Sequence, residues 1–181
     1  MRRARVEFAA VVTLALAGGG AGALALEATM QRVTAEGTGE TIGTVRIEQG
    51  PEGTVFTPDL RGLPPGERGF HVHESGECGP GPNPEGQVVP AGAAGGHWDS
   101  DDAERHEGPT GDGHLGDLPP LQVGEDGSAT EPVTAPRIED PSRLEGLALM
   151  IHQGGDNFSD EPQRDGGGGT RIACGVIEAT G

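Results

Sequence analysis

The chain of 181 residues contains no lysine and no tyrosine, and it has only one tryptophan, two cysteines, three methionines and four phenylalanines. Without lysine, all 12 basic side chains are arginines, and they face 29 acidic ones, for a formal net charge of -17. That balance excludes nucleic acid and an anionic membrane surface as partners, because phosphate binding requires a basic footprint. So few aromatics exclude a core built on large rings and point to one of Val, Ile, Leu and Ala. No stretch carries a convincing amphipathic helical pattern, so a helical bundle is excluded as well.

Turn formers are abundant instead, with 34 Gly and 15 Pro. The apolar runs between them are short. Residues 32–35, 41–48, 53–60 and 69–74 read as a first set of strands, separated by Gly-Thr-Gly, Gly-Pro-Glu-Gly and Leu-Pro-Pro-Gly-Glu. Residues 121–123, 128–133, 147–153 and 170–179 read as a second set, after a long Gly- and Pro-rich stretch over 75–120. The length fits one domain. The pattern predicts an all-β chain of about eight short strands, arranged as a Greek-key sandwich or flattened barrel with two long loops. Loops of that length in a compact domain are usually functional or disordered, and their histidines favour function.

The first 25 residues read as an export signal. Arg2, Arg3 and Arg5 make a positive end, Phe8 to Leu16 an apolar region, and Ala23-Leu24-Ala25 a small-residue cleavage site. Glu7 departs from the pattern. The uncharged run from Phe8 to Leu26 is also long enough to span a bilayer, but its Ala and Gly content makes it weakly apolar, which favours cleavage over a retained anchor. Removal would leave a domain of residues 26–181 with no membrane partner, placed in the periplasm or outside the cell. Three Arg and one Glu leave with the signal, which takes the remaining chain to -19. Cys78 and Cys174 fit such a compartment, where an oxidising environment allows them to pair. Closing so long a loop is worth up to ~4.7 kcal/mol in the chain-entropy model. Two buried free thiols are the alternative.

The six histidines carry the chemistry. His71 and His73 flank one valine, and side chains two apart on a strand leave the same face of the sheet. His97, His106, His114 and Asp117 crowd into a Gly-rich loop, and three imidazoles with a carboxylate match a closed tetrahedral zinc site. His71, His73 and His152, all on predicted strands, make a nitrogen-rich set better suited to copper than to calcium or magnesium. Two four-coordinate sites need about eight donors. Six His and Asp117 fall one short, so either one site is open or one histidine serves both ions through its two ring nitrogens. Spacing alone does not choose.

Gly-Phe-His71-Val-His73-Glu, Ala94-Gly-Gly-His97, Glu-Arg-His106, Gly-Asp-Gly-His114-Leu-Gly-Asp117-Leu, Ala-Leu-Met-Ile-His152, Gly-Gly-Asp156-Asn and Gly-Gly-Gly-Gly-Thr-Arg171-Ile-Ala-Cys174-Gly-Val-Ile resemble the motifs of the copper/zinc superoxide dismutases, in the family's order. The likeness covers nearly the whole chain after the signal and is nearest to the exported bacterial branch. It implies an eight-stranded Greek-key β-barrel that disproportionates superoxide to oxygen and hydrogen peroxide, with one copper and one zinc per subunit. It further implies that His71, His73, His97 and His152 hold copper, while His97, His106, His114 and Asp117 hold zinc, His97 being the shared ligand and a proton carrier. Asp156 matches a carboxylate that links a copper ligand to a zinc ligand, Cys78 and Cys174 match a disulfide, and Arg171 matches an arginine that attracts and orients the anion. Members of this branch are often homodimers and sometimes monomers.

Two positions depart from the family pattern. Ser100 stands where Pro is frequent, which predicts a looser turn after His97. The segment 157–165 carries Asp160, Glu161 and Asp165 against Arg164, which predicts poor long-range steering of an anion. The rival function is an exported copper- or zinc-binding or copper-delivery protein without dismutase activity; delivery relatives often lack copper ligands or the arginine, and this chain keeps them all.

Overall fold

Alternation decides the first strand: Leu26, Ala28 and Met30 are fully buried while Thr29 between them is exposed. The period of two fixes which side of the sheet each residue takes. In the computed structural model, which describes residues 25–180, that alternation runs through a single β-rich unit. The expected export segment lies outside the described residues except for Ala25.

The strands are β1 (Leu26–Thr34), β2 (Gly37–Gly50), β3 (Gly53–Leu60), β4 (Gly66–Arg68), β5 (Phe70–His73), β6 (Gly81–Pro82), β7 (Val88–Val89), β8 (Leu121–Val123), β9 (Val133–Ala135), β10 (Ala148–His152) and β11 (Arg171–Ala179). The regular helical pieces among the described residues are three short 3-10 turns. A curled seven-stranded antiparallel sheet runs in the order β5-β10-β11-β1-β2-β3-β9, so the first and last strands of the described domain are neighbours. β4 pairs with β8, and β6 with β7, as separate two-stranded ribbons.

β4 and β5 are one chain run that changes partner at Gly69. Before it the run pairs with β8, and after it with β10. Gly69 is tied in by its N–H donating to Gly154 O at 2.7 Å and its carbonyl accepting from His152 N at 2.8 Å. Counting the bent pair once and setting aside the small β6-β7 ribbon leaves eight principal strands, the number expected. The turn at Gly124–Ser128 brings Ala129 back to bridge Leu60 of β3, which carries the β8 ribbon round toward the far edge of the large sheet.

Two expectations shift. β1 begins at Leu26 rather than at Arg32, because the buried alternation starts there. The strand expected over 128–133 reduces to the Ala129 bridge, and pairing resumes at Val133. Pro132, between them, has no N–H to give to a ladder.

The two faces of β5 have different tasks. Phe70 and Val72 enter the main core, where Phe70 meets Phe56 edge-on with ring centroids 5.9 Å apart. His71 and His73 leave the opposite face and are still fully buried, because long loops lie over them. Across the β5-β10 pair, His71 stands opposite Met150 and His73 opposite Ala148, and Met150 is in turn opposite Cys174 of β11. Met150, Ala148, Cys174, Val33, Ala91 and Ala94 form a second, smaller apolar cluster on this outer side. Cys78 and Cys174 are joined as a disulfide with Cα atoms 5.6 Å apart, fastening the first long loop to β11.

Candidate metal centre

The first loop reaches the histidine face by pairing with β5 along its edge. Val72 N donates to Gly116 O at 2.9 Å, Gly116 N to Trp98 O at 2.8 Å, and Trp98 N to Val72 O at 2.8 Å. This triangle places His97 beside His73 and Asp117 beside His71 as isolated bridges. It also explains Gly116: a Cβ there would collide with the Val72 carbonyl and crowd Trp98 N. Leucine at 115 and 118 is buried in the core on either side, so the polar ligand turn is anchored by apolar neighbours.

Ligating atoms of His71, His73, His97 and His152 all lie within 4.8 Å of one another, and so do those of His97, His106, His114 and Asp117. His97 belongs to both groups. Its Nδ1 is 2.9 Å from Asp117 Oδ1, in the second group, which leaves Nε2 for the first. Of the two options left by counting donors, the geometry is that of a shared histidine.

A simple test of whether ions fit is to ask which buried side-chain nitrogens and oxygens among the described residues have no partner outside the ligand groups. They are Nδ1 of His71, His106 and His114, Nε2 of His73 and His152, and Oδ2 of Asp117; within the second group His106 Nδ1 faces Asp117 Oδ2 at 3.0 Å and His114 Nδ1 faces Asp117 Oδ1 at 3.4 Å. Every one belongs to the two ligand groups. For His71, His73, His106 and His152 the second ring nitrogen is already engaged. His73 Nδ1 meets Gly95 O at 3.0 Å, His152 Nδ1 meets Gly169 O at 3.2 Å, His71 Nε2 meets Asp156 Oδ2 at 2.8 Å, and His106 Nε2 meets Asp156 Oδ1 at 2.7 Å. Those acceptors take the N–H of the outer nitrogen and so direct the inner nitrogen toward a cation; in His71, His73 and His152 it is a free lone pair, and in His106 it becomes one when the ring loses its proton. The all-imidazole group suits copper, and the three-histidine, one-carboxylate group suits zinc.

The charges differ on the two sides. Burial, reinforced by the neighbouring His97, pushes the His71 pKa down to about 4 despite its bond to Asp156. Burial and His97 likewise hold His73 well below its ordinary value, and burial with His71 and His97 does so for His152, so this face is neutral. At His106 burial again pulls downward, but hydrogen bonds to Asp117 and Asp156 outweigh it and raise the pKa to about 10. The hydrogen bond to Asp117 also raises His114. Asp117 and Asp156 resist the upward pull of burial and are held low by their imidazole partners. Without an ion, His106 therefore stays protonated between two carboxylates, with His114 shifted in the same direction, and binding a cation there must release a proton.

Asp156 also falls in a third cluster with His71 and His106. Both its oxygens already accept from those rings, so it is a brace between the two groups. The chain fits around it closely: Gly166 has φ of 71°, and a Cβ there would strike Asp156 and His106.

Arg171, half-buried at the start of β11, donates from its two terminal nitrogens to Ala91 O and Gly95 O, each at 2.6 Å. Burial lowers its pKa, and Asp165 opposes the shift. Gly95 O thus receives both Arg171 and His73, which seats the guanidinium next to the all-imidazole group. An open cavity of about 310 Å³ lies there, lined by Arg171, Gly95, Gly96, Asn83, Pro84 and Asp165 among others. The acceptors that hold Arg171 were not legible in the sequence, and one expectation about a neighbouring turn changes. The carbonyls of Ala91 and Gly95 leave no mark in a side-chain pattern. Ser100 sits in a turn that is tied, not loosened: Asp99 accepts from Ala103 N at 2.9 Å and Glu104 N at 2.8 Å, and Ser100 Oγ accepts from Arg143 at 3.0 Å.

Residues 41–177 match the family model described as copper/zinc superoxide dismutase. The chain is 53% identical over 174 residues to superoxide dismutase [Cu-Zn] 2 of Salmonella typhimurium, covering 96% of this chain and 99% of that one. It is 50% identical over 159 residues to superoxide dismutase [Cu-Zn] of Escherichia coli K12, covering 88% and 91%. Among solved structures, the Cu/Zn superoxide dismutase from Brucella abortus superposes with a TM-score of 0.82 at 46% identity, covering 85% of this chain and 99% of that one. The solution structure of the monomeric copper, zinc superoxide dismutase from Salmonella enterica gives 0.75 at 56% identity, with the same coverage of each chain. With a family model spanning most of its length, relatives at half identity and a shared fold, this chain belongs to the copper/zinc superoxide dismutase family.

Proposed function

We propose that this chain converts two superoxide anions and two protons into one molecule of oxygen and one of hydrogen peroxide, at a copper site joined to zinc through His97. The observation that carries the reading is that His97 stands in both ligand groups, with the unpartnered buried atoms of the other ligands around it. His71, His73, His97 and His152 would hold copper, and His97, His106, His114 and Asp117 would hold zinc. Copper held there would supply the one-electron chemistry that passes an electron from one superoxide to the next, and zinc would supply a fixed charge.

The chain's own residues do the rest. Gly95 O, Gly169 O and Asp156 fix the tautomers and orientations of His73, His152 and His71, so the ligand set is preorganised. His97 Nδ1 is committed toward Asp117, and Nε2 is the atom at which His97 can carry a proton toward nascent peroxide; solvent supplies the second proton. Arg171, locked by two carbonyls, presents fixed positive charge at the cavity where a small anion arrives. Because the chain as a whole carries -17, its distant charges oppose that approach, and attraction has to be local.

The domain begins at Leu26 in this reading, after an export signal of residues 1–25, and the protein works in the periplasm or outside the cell. The disulfide supports an oxidising compartment. For subunit state, the large exposed hydrophobic side chains among the described residues are Val88 and Phe158. A relative at 56% identity, that of Salmonella enterica, is monomeric, and this chain is read as a monomer with a homodimer as the alternative.

Loaded with one copper and one zinc per chain, the purified protein is expected to remove superoxide far faster than buffer does, as followed by pulse radiolysis; a fully loaded, inert protein would instead be a metal-binding or delivery relative. Arg171→Ala should lower the second-order rate by about tenfold or more at low salt and flatten its salt dependence, while copper content stays unchanged. Loss of copper in step with activity would make Arg171 a structural residue. Amino-terminal sequencing of the exported protein should begin at Leu26, and a retained Met1 would contradict the cleaved signal.

A further inference from the structure

The segment 157–165 reads in the sequence as a run of solvated acids, but Asp160 is engaged on the inner side of its loop. Its Oδ2 accepts the main-chain N–H of His106 at 2.9 Å, and its Oδ1 accepts the N–H of Asp165 at 3.1 Å. Burial works to raise its pKa, yet these two donors hold the carboxyl below the usual range. The loop is also closed on itself, with Asn157 N donating to Gly166 O at 3.0 Å and Gly166 N to Ser159 O at 3.1 Å. Phe158 caps Gly108, where a Cβ would run into the ring.

His106 is therefore gripped twice by one loop: at the ring by Asp156 and at the backbone by Asp160, 2.7 Å and 2.9 Å away. The backbone grip matters because of where His106 sits. His71, His73 and His152 belong to strands whose ladders place them. His106 lies in irregular chain, two residues after Glu104 with its φ of 53°, in a segment that no strand supports. Neighbouring Arg105 O takes one bond, from His114 N at 2.9 Å, which links two ligands of the same group to each other but not to the sheet.

We propose that Asp160 is a positioning residue for the zinc group: it holds the His106 main chain in the place a ladder partner would otherwise hold it, and so ties retention of the ion to closure of the 157–166 loop. This rests on the reading of His106 as a zinc ligand. Asp160 touches neither the ion nor any ligating atom, and it acts only through where His106 Nδ1 stands relative to Asp117.

The test uses the full-length mature protein as wild type, Asp160→Ala, Asp160→Asn and His106→Ala. Zinc affinity is measured by competition with a chromophoric chelator, copper affinity is measured separately, and cobalt(II) in the zinc group reports its geometry through visible absorption. Losing an outer partner of a ligand typically costs about 10- to 100-fold in metal affinity. Asp160→Ala should weaken zinc by tenfold or more, speed its release and shift the cobalt bands, with copper affinity unchanged. Asp160→Asn, which keeps one acceptor oxygen and can hold one of the two N–H groups, should fall between Ala and wild type. Unchanged zinc affinity and cobalt spectra in both variants would overturn the proposal, as would an equal loss of copper and zinc, which would make Asp160 a general fold residue. Zinc binding that survives His106→Ala undiminished would instead overturn the ligand assignment, and this inference with it.

Discussion

A set of desolvated ligand atoms, five imidazole nitrogens and one carboxylate oxygen, with no partner outside their own cluster is the constraint on which the rest of this molecule depends. Burying a polar atom without a partner costs roughly 1–3 kcal/mol by mutational measures, and here six such atoms converge on two adjoining points. Among the described residues no other buried side-chain nitrogen or oxygen lacks a hydrogen bond, and cations that complete the set account for this concentration. The protein prepares for them by fixing the outer nitrogen of four rings on carbonyls or on Asp156, so that each inner nitrogen is aimed before any ion arrives, as a free lone pair on His71, His73 and His152 and as an N–H that the ion displaces on His106.

The fold supplies what that arrangement needs. A curled antiparallel sheet keeps its apolar residues inside, so the outer face of β5 and β10 is free to carry His71, His73 and His152 in rigid register. Loops with little core of their own then cover that face, and each is fastened at a different point. The first is held by the Val72-Gly116-Trp98 triangle and the disulfide, and the second by Asp156 and Asp160 on His106. Arg171 is held beside the same face on two carbonyls of the first loop, and in the proposed function it is the fixed positive charge that an acidic protein offers to an incoming anion.

Much of this was legible in the sequence because side-chain identity carries it. Two histidines flanking one valine announce a common face, and His106, His114 and Asp117 fall close enough to suggest one ion. The strand at Gly53–Leu60 and the short one at Leu121–Val123 were bounded by unmistakable turn residues, and both have the limits expected of them. Which histidine is shared was beyond spacing and came from resemblance; the geometry at His97 agrees with it. The strand near Pro132 was misplaced because Ala129 and Val133 were read as one run, when Pro132 between them has no N–H to give to a ladder. Gly95 O and the inward role of Asp160 were hidden for a different reason: backbone acceptors have no residue type, and an acid that binds main-chain N–H groups looks in sequence like any solvated acid.

The central claim is that two cations sit side by side with His97 between them, copper toward His71, His73 and His152 and zinc toward His106, His114 and Asp117. Anomalous diffraction from crystals of the loaded protein, collected at the copper and zinc absorption edges, measures this directly. The account predicts two separate peaks flanking His97, each responding at its own edge. A single peak, or both elements on one side of His97, would contradict it.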